Sequence, residues 1–142
     1  MIRIAAELVD RTIDEFGRCG AGLRECVVYW LADLSEPRRV VDVVHPVHTA
    51  TPFGYSVDGG WLNGFFFGLA DDRRTAVAQV HTHPGRSIDH SEIDDEFVLV
   101  PSPDFVSIVV PDFGAMFRSD RCAIHVLEAS GAWRIDAAAV AW

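Results

Sequence analysis

The strongest chemical signal in this chain is one short stretch. It reads His81-Thr82-His83-Pro84, six further residues, then Ser91-Glu92-Ile93-Asp94. The run Thr75 to His83 (TAVAQVHTH) has the composition of a strand. Side chains alternate across a strand, so His81 and His83 leave the same face and Thr82 the other. One metal ion can then accept a ring nitrogen from each histidine. Pro84 stops the strand and puts the pair at its end. Ser91 and Asp94, three apart, share one face of a helical first turn. Asp94 then offers a carboxylate oxygen as a third ligand, with Asp89, His90 and Asp95 as nearby competitors. Two histidines, one carboxylate and an open position is an arrangement used by catalytic zinc. Zinc in such a site lowers the pKa of its water towards neutrality. Taken alone, His-x-His recurs by chance and Ser-x-x-Asp is a helix capping box. Capping and facing a site are compatible roles for Ser91.

The elements that must position these residues follow from hydrophobic periodicity. Residues 2–16 place Ala5, Leu8, Val9, Ile13 and Phe16 on one helical stripe, and Gly17 and Gly20 end it. Glu25 to Ala32 and Val40 to His45 read as a strand pair around the turn Ser35 to Arg39. His48 to Gly60, with Pro52, Gly54, Gly59 and Gly60, reads as a loop. Trp61 to Ala70 is apolar nearly all round and reads as a buried helix, with Phe65 to Phe67 packing the core. Ser91 to Val98 begins a short helix. Phe105 to Val110, Ala123 to Leu127 and Ala132 to Ile135 read as three more strands. This order predicts an α/β (α+β) domain over residues 1–142. Its sheet is mixed, largely antiparallel and flanked by helices.

Bulk properties narrow the function classes. A chain of 142 residues, 49% hydrophobic and 23% charged, is one ordinary globular domain by length and composition. The formal net charge of −9 repels phosphate backbones and argues against nucleic-acid binding. No apolar run is long enough for a membrane span. The opening residues carry acids and lack a secretory apolar core, which predicts a mature cytoplasmic chain. Cys19, Cys26 and Cys122 are odd in number with no Cys-x-x-Cys pair. That predicts free thiols in a reducing compartment and no structural cysteine-type zinc site. His45, His48 and His125 have no motif of their own, and Cys26 reads as a small buried residue.

The full string resembles the signature of the JAMM (MPN+) metalloprotease family, also called JAB1/MPN/Mov34. That family has His-x-His-Pro, six residues, then Ser-x-x-Asp, with a glutamate on an earlier strand. Here Thr82 stands where serine is common between the histidines. The compact length is similar to bacterial JAB domains. The resemblance implies a cytidine-deaminase-like JAB/MPN fold, Zn2+ as cofactor, His81, His83 and Asp94 as metal ligands, and Ser91 as a catalytic residue steadying an oxyanion. It also implies a catalytic acid on the strand after the first helix. Glu25, followed by Cys26, matches it better than Glu15 or Glu36. The implied substrate is a peptide or isopeptide bond after the Gly-Gly tail of a ubiquitin-like protein. The implied partners include E1/E2-like proteins of a bacterial conjugation or antiviral system. The alternatives are a hydrolase of sulfur-carrier adducts or small amides, a RadC-like DNA-repair domain, and a non-catalytic MPN binding module.

Overall fold

The computed structural model describes residues 1–91, 94, 98–115 and 117–142. Its centre is a six-stranded sheet in the order β3-β2-β6-β7-β8-β9. These strands are β2 (Val27–Asp33), β3 (Val40–Val44), β6 (Arg74–Thr82), β7 (Val106–Val110), β8 (Ala123–Leu127) and β9 (Trp133–Ile135). Every neighbouring pair is antiparallel except β6 with β7, which runs parallel with Ala78 opposite Val106. The central strands β2, β6 and β7 are almost wholly buried. Their near-continuous apolar sequences are what burial on both faces demands.

One face of the sheet packs against α1 (Ala6–Cys19) around Phe16, Val28, Trp30, Val80 and Ile108. The Trp30 indole is fully buried, and its Nε1–H donates to Thr12 Oγ1 at 3.0 Å. The other face packs against α2 (Gly59–Asp72) through Val27, Tyr29, Leu31, Leu69 and Phe105. Asp58 caps α2 by accepting from the Trp61 N–H at 2.7 Å. Arg73 ends it in the left-handed region at φ 54°.

Several sequence expectations change. The first helix starts at Ala6, because Ile2–Arg3 (β1) pairs in parallel with Val140–Ala141 (β10). That long-range pairing leaves no local periodicity to read. The helix also continues through Gly17 to Cys19, with Gly20 at its cap. The expected loop after His48 is a hairpin of β4 (His48–Thr51) and β5 (Gly54–Val57). Phe66 and Phe67 are 42% and 70% exposed rather than core, because α2 covers the sheet from one side only. Cys19 and Cys26 are joined as a disulfide, which leaves Cys122 as the free thiol. The turn through Ala21 and Gly22, both at positive φ, folds the end of α1 back onto the start of β2. The helix expected over 91–98 lies largely outside the described residues. Among the described residues, no helix is long and apolar enough to cross a membrane.

Candidate metal centre

Strand β6 delivers His81 and His83 on the sheet face that α2 covers, as the period of two requires. His81 is fully buried and His83 is 7% exposed. The strand end is held on both sides. Thr82 N–H donates to Cys26 O at 2.9 Å, and Thr82 Oγ1 accepts from Cys26 N–H at 2.9 Å. On the β7 side, His83 N–H donates to Val110 O at 2.9 Å.

Asp94 completes the cluster. Its Oδ2 lies 3.0 Å from His83 Nε2, and its Oδ1 lies 3.3 Å from His81 Nε2. Ser91 and Asp94 form a reciprocal capping pair. Ser91 N–H donates to Asp94 Oδ2 at 2.8 Å, and Asp94 N–H donates to Ser91 Oγ at 3.1 Å. The cap therefore fixes the carboxylate rather than competing with a site role. One ligand atom from each of His81, His83 and Asp94 lies within 4.8 Å of the others, a spacing that suits a shared metal ion. Of the other acids and histidines nearby, Asp89 is exposed and His90 points into a separate network. Asp95 lies outside the described residues.

The electrostatics fit a cation. His81 Nδ1 is buried with no hydrogen-bond partner among the described residues, and Nε2 has only Asp94 Oδ1 at 3.3 Å. Leaving such groups unpaired costs about 1–3 kcal/mol each, and a metal bonded to one nitrogen removes part of that cost. Burial lowers the His81 pKa against the pull of Asp94, so the imidazole is neutral and offers a lone pair. For His83 burial also works downward. The hydrogen bond and charge of Asp94, with help from Glu25 and Ser87, outweigh it and raise the pKa. Burial acts to raise the pKa of Asp94. The contacts from His81 and His83 and the Ser91 N–H override it and hold the carboxyl well below its usual range.

Glu25 stands just before β2, and its N–H donates to Thr51 O on β4 at 3.0 Å. The β2–β6 ladder pairs Val27 with His81, and the same register carried two steps further brings Glu25 opposite His83. Glu25 is only 5% exposed. Burial pushes its carboxyl up to about 7, His83 opposes that rise and Asp94 adds to it. Glu15, the candidate on the helix, pairs with Arg18 on α1. Glu36 pairs with Arg39 in the β2–β3 turn.

Sequence reasoning missed the polar network that steadies the segment bearing Asp94. Buried Gln79 donates to Ser107 Oγ at 3.2 Å and accepts from Leu99 N–H at 3.0 Å. His90 lies 3.0 Å from the same Ser107 hydroxyl and stacks on His125 at 4.0 Å between ring centroids. Gln79 sits two residues before His81 on the same strand face. A polar residue inside an apolar strand was the available signal.

No family model matches the chain. A protein of Sinorhizobium fredii described as a probable metalloprotease is 37% identical over 60 residues. The match covers 42% of this chain, and only 36% of that relative's length. Among solved structures, a protein from Desulfitobacterium hafniense superposes with a TM-score of 0.69 at 13% identity, over 96% of this chain and 90% of that one. A protein from Salinibacter ruber gives 0.63 at 14% identity, over 95% and 88%. A JAB1/MPN domain protein from Archaeoglobus fulgidus gives 0.51 at 13% identity, over 94% and 93%. The fold is that of JAB1/MPN domains. The His-x-His-Pro and Ser-x-x-Asp string lies on that fold and supplies the three clustered side chains.

Proposed function

We propose that the protein is a zinc-dependent metalloprotease of the JAMM type that cleaves the bond after the C-terminal tail of a ubiquitin-like protein. The observation that carries the hydrolase reading is the convergence of His81, His83 and Asp94 beside a buried glutamate. The donor set, two imidazoles and one carboxylate with no thiolate, suits zinc that keeps one position open. When bound there, zinc acidifies a water and polarises a carbonyl. Glu25 takes the proton of the attacking water and hands it to the leaving amine, a task suited to a carboxyl with a pKa near the working pH. Ser91 Oγ accepts from the Asp94 N–H, so its own proton is free to meet the developing oxyanion.

The substrate reading is supported by shape and charge. β5 pairs with β4 on one side only among the described residues, and its Tyr55 ring lies 5.9 Å from that of His81. An extended tail can add to such an edge through main-chain hydrogen bonds. Tyr29, Tyr55, Leu62, Phe66 and Leu99 line a groove alongside it. The net charge of −9 favours a tail with basic residues.

The test is a panel of ubiquitin-like proteins carrying a Gly-Gly tail and a C-terminal extension, read by intact mass. Zinc-loaded protein is expected to cut after the last glycine, and Glu25→Gln to lose turnover while keeping zinc. Cleavage of small amides alone, with every fusion intact, would overturn the substrate reading. The chain has no lysine, so it offers no side-chain amine for self-conjugation in such assays.

A further inference from the structure

Four side chains from three separate segments converge on the opposite side of β2 from His81. Cys19 ends α1, Cys26 precedes β2, and His45 and His48 flank Pro46 between β3 and β4. Ligand atoms of all four lie within 4.8 Å of one another. His48 Nε2 is 3.3 Å from Cys19 Sγ, and His45 Nε2 is 3.5 Å from Cys26 Sγ. The two imidazole rings are 4.8 Å apart between centroids. Cys26 is fully buried and the other three are partly so.

The geometry points to a second metal site: we propose that Cys19, Cys26, His45 and His48 bind a structural zinc ion when the two cysteines are reduced. Bonds of about 2.3 Å to sulfur and about 2.0 Å to nitrogen, at the tetrahedral angle, put sulfur and nitrogen about 3.5 Å apart. The two Sγ–Nε2 separations sit at that edge length. The Cα atoms of the cysteines are 6.1 Å apart. That leaves room for their sulfurs at the roughly 3.8 Å a shared zinc requires. His48 brings an independent observation. Its Nδ1 lies 3.0 Å from Pro46 O, so Nδ1 holds the proton and donates it. A histidine tied to a backbone carbonyl in this way is the usual orientation of a zinc ligand. That orientation turns its Nε2 toward Cys19 Sγ, 3.3 Å away, where a metal would sit. Once the disulfide is reduced, a cation between that nitrogen and the sulfur takes the place of the thiol proton.

The two forms differ by two electrons. A thiol or phosphine reductant breaks the sulfur–sulfur bond and two protons complete two thiols. Zinc then displaces those two protons and exchanges its bound waters for two thiolates and two imidazole nitrogens, with no further redox change. The site fastens the end of α1, the residue next to Glu25 and the foot of β4. Through the hairpin it reaches Tyr55, whose ring lies 6.3 Å from that of His48 and 5.9 Å from that of His81. The second ion thus braces both walls of the first centre without sharing a ligand with it.

Cobalt separates the two sites because only this one offers thiolates. Reduced, chelator-stripped protein titrated anaerobically with Co2+ is expected to take two equivalents, one of them with a sulfur-to-cobalt charge-transfer band. His83→Ala should drop one equivalent and keep the band. Cys19→Ser with His48→Ala should lose the band, and Cys122→Ser should not. Native mass spectra of the zinc-loaded forms should give the same counts. The proposal is overturned if reduced wild-type protein, shown by thiol titration to present all three cysteines, saturates with cobalt and shows no such band. It is equally overturned if the disulfide survives the reductant, or if the Cys19→Ser, His48→Ala protein keeps the full band. None of these results depends on whether the first centre is a protease.

Discussion

Replacing Glu25 by glutamine should change how stability depends on pH in chelator-treated protein. In the folded chain the Glu25 carboxyl is pushed up to about 7 from 4.5, first by burial and then by the Asp94 charge, with His83 opposing. Between those two pH values the unfolded chain has released this proton and the folded chain still holds it. Stability therefore falls as pH rises, at about 1.4 kcal/mol per pH unit for one proton. The favourable contribution is complete below about pH 4.5 and is lost by about pH 7, a total near 3 kcal/mol. Glutamine keeps the shape and the backbone hydrogen bond to Thr51 but does not titrate. The assay is urea unfolding of both proteins at pH 5 and pH 7.5. Wild type should lose about 2.4 kcal/mol relative to the variant across that interval, titrating groups not coupled to Glu25 cancelling in the difference. Adding Zn2+ should shrink the difference, because a nearby cation favours the ionised carboxylate. A difference between the two proteins that does not change with pH refutes the placement of Glu25 in a buried, anionic neighbourhood.

Asp94→Asn should abolish metal binding at the first centre while the fold survives, checked by metal content and circular dichroism. Thr12→Val leaves the buried Trp30 N–H without its 3.0 Å acceptor and should cost about 1–3 kcal/mol in denaturant unfolding. Gly114→Ala should destabilise by more than about 1 kcal/mol, read as a lower melting temperature. Gly114 sits at φ 79°, and an added Cβ meets Phe16 Cδ2 at 2.9 Å and Thr82 Cγ2 at 3.2 Å. Gln79→Leu removes the acceptor of the Leu99 N–H and the donor to Ser107. It is expected to lower zinc affinity by loosening the segment that holds Asp94, measured by competition with a chelating dye.

Much of the centre was legible from residue order alone, for a physical reason. His81 and His83 share a face because the strand repeat is two, and no tertiary contact is needed to establish that. Ser91 and Asp94 meet because a capping box closes over three residues. The strand runs VVYWLA and FVSIVV announce themselves because burial on both sides demands near-continuous apolar sequence. What local order could not supply were choices among equals and meetings of distant segments. Asp94 was favoured over Asp89 and His90 by which side chain is buried against the histidines, a matter of packing. Glu25 depended on the register between β2 and β6, residues more than fifty positions apart. The exposure of Phe66 and Phe67 depended on α2 having a partner on one side only. The cysteines and the histidines at 45 and 48 carried no signal separately, since neither spacing matches a familiar zinc pattern. Only the turn after α1 and the β3–β4 connection bring them together. The sequence by itself determined which side chains could hold a metal on one strand. The tertiary structure decided which acids join them, and revealed a second cluster where single residues had looked ordinary.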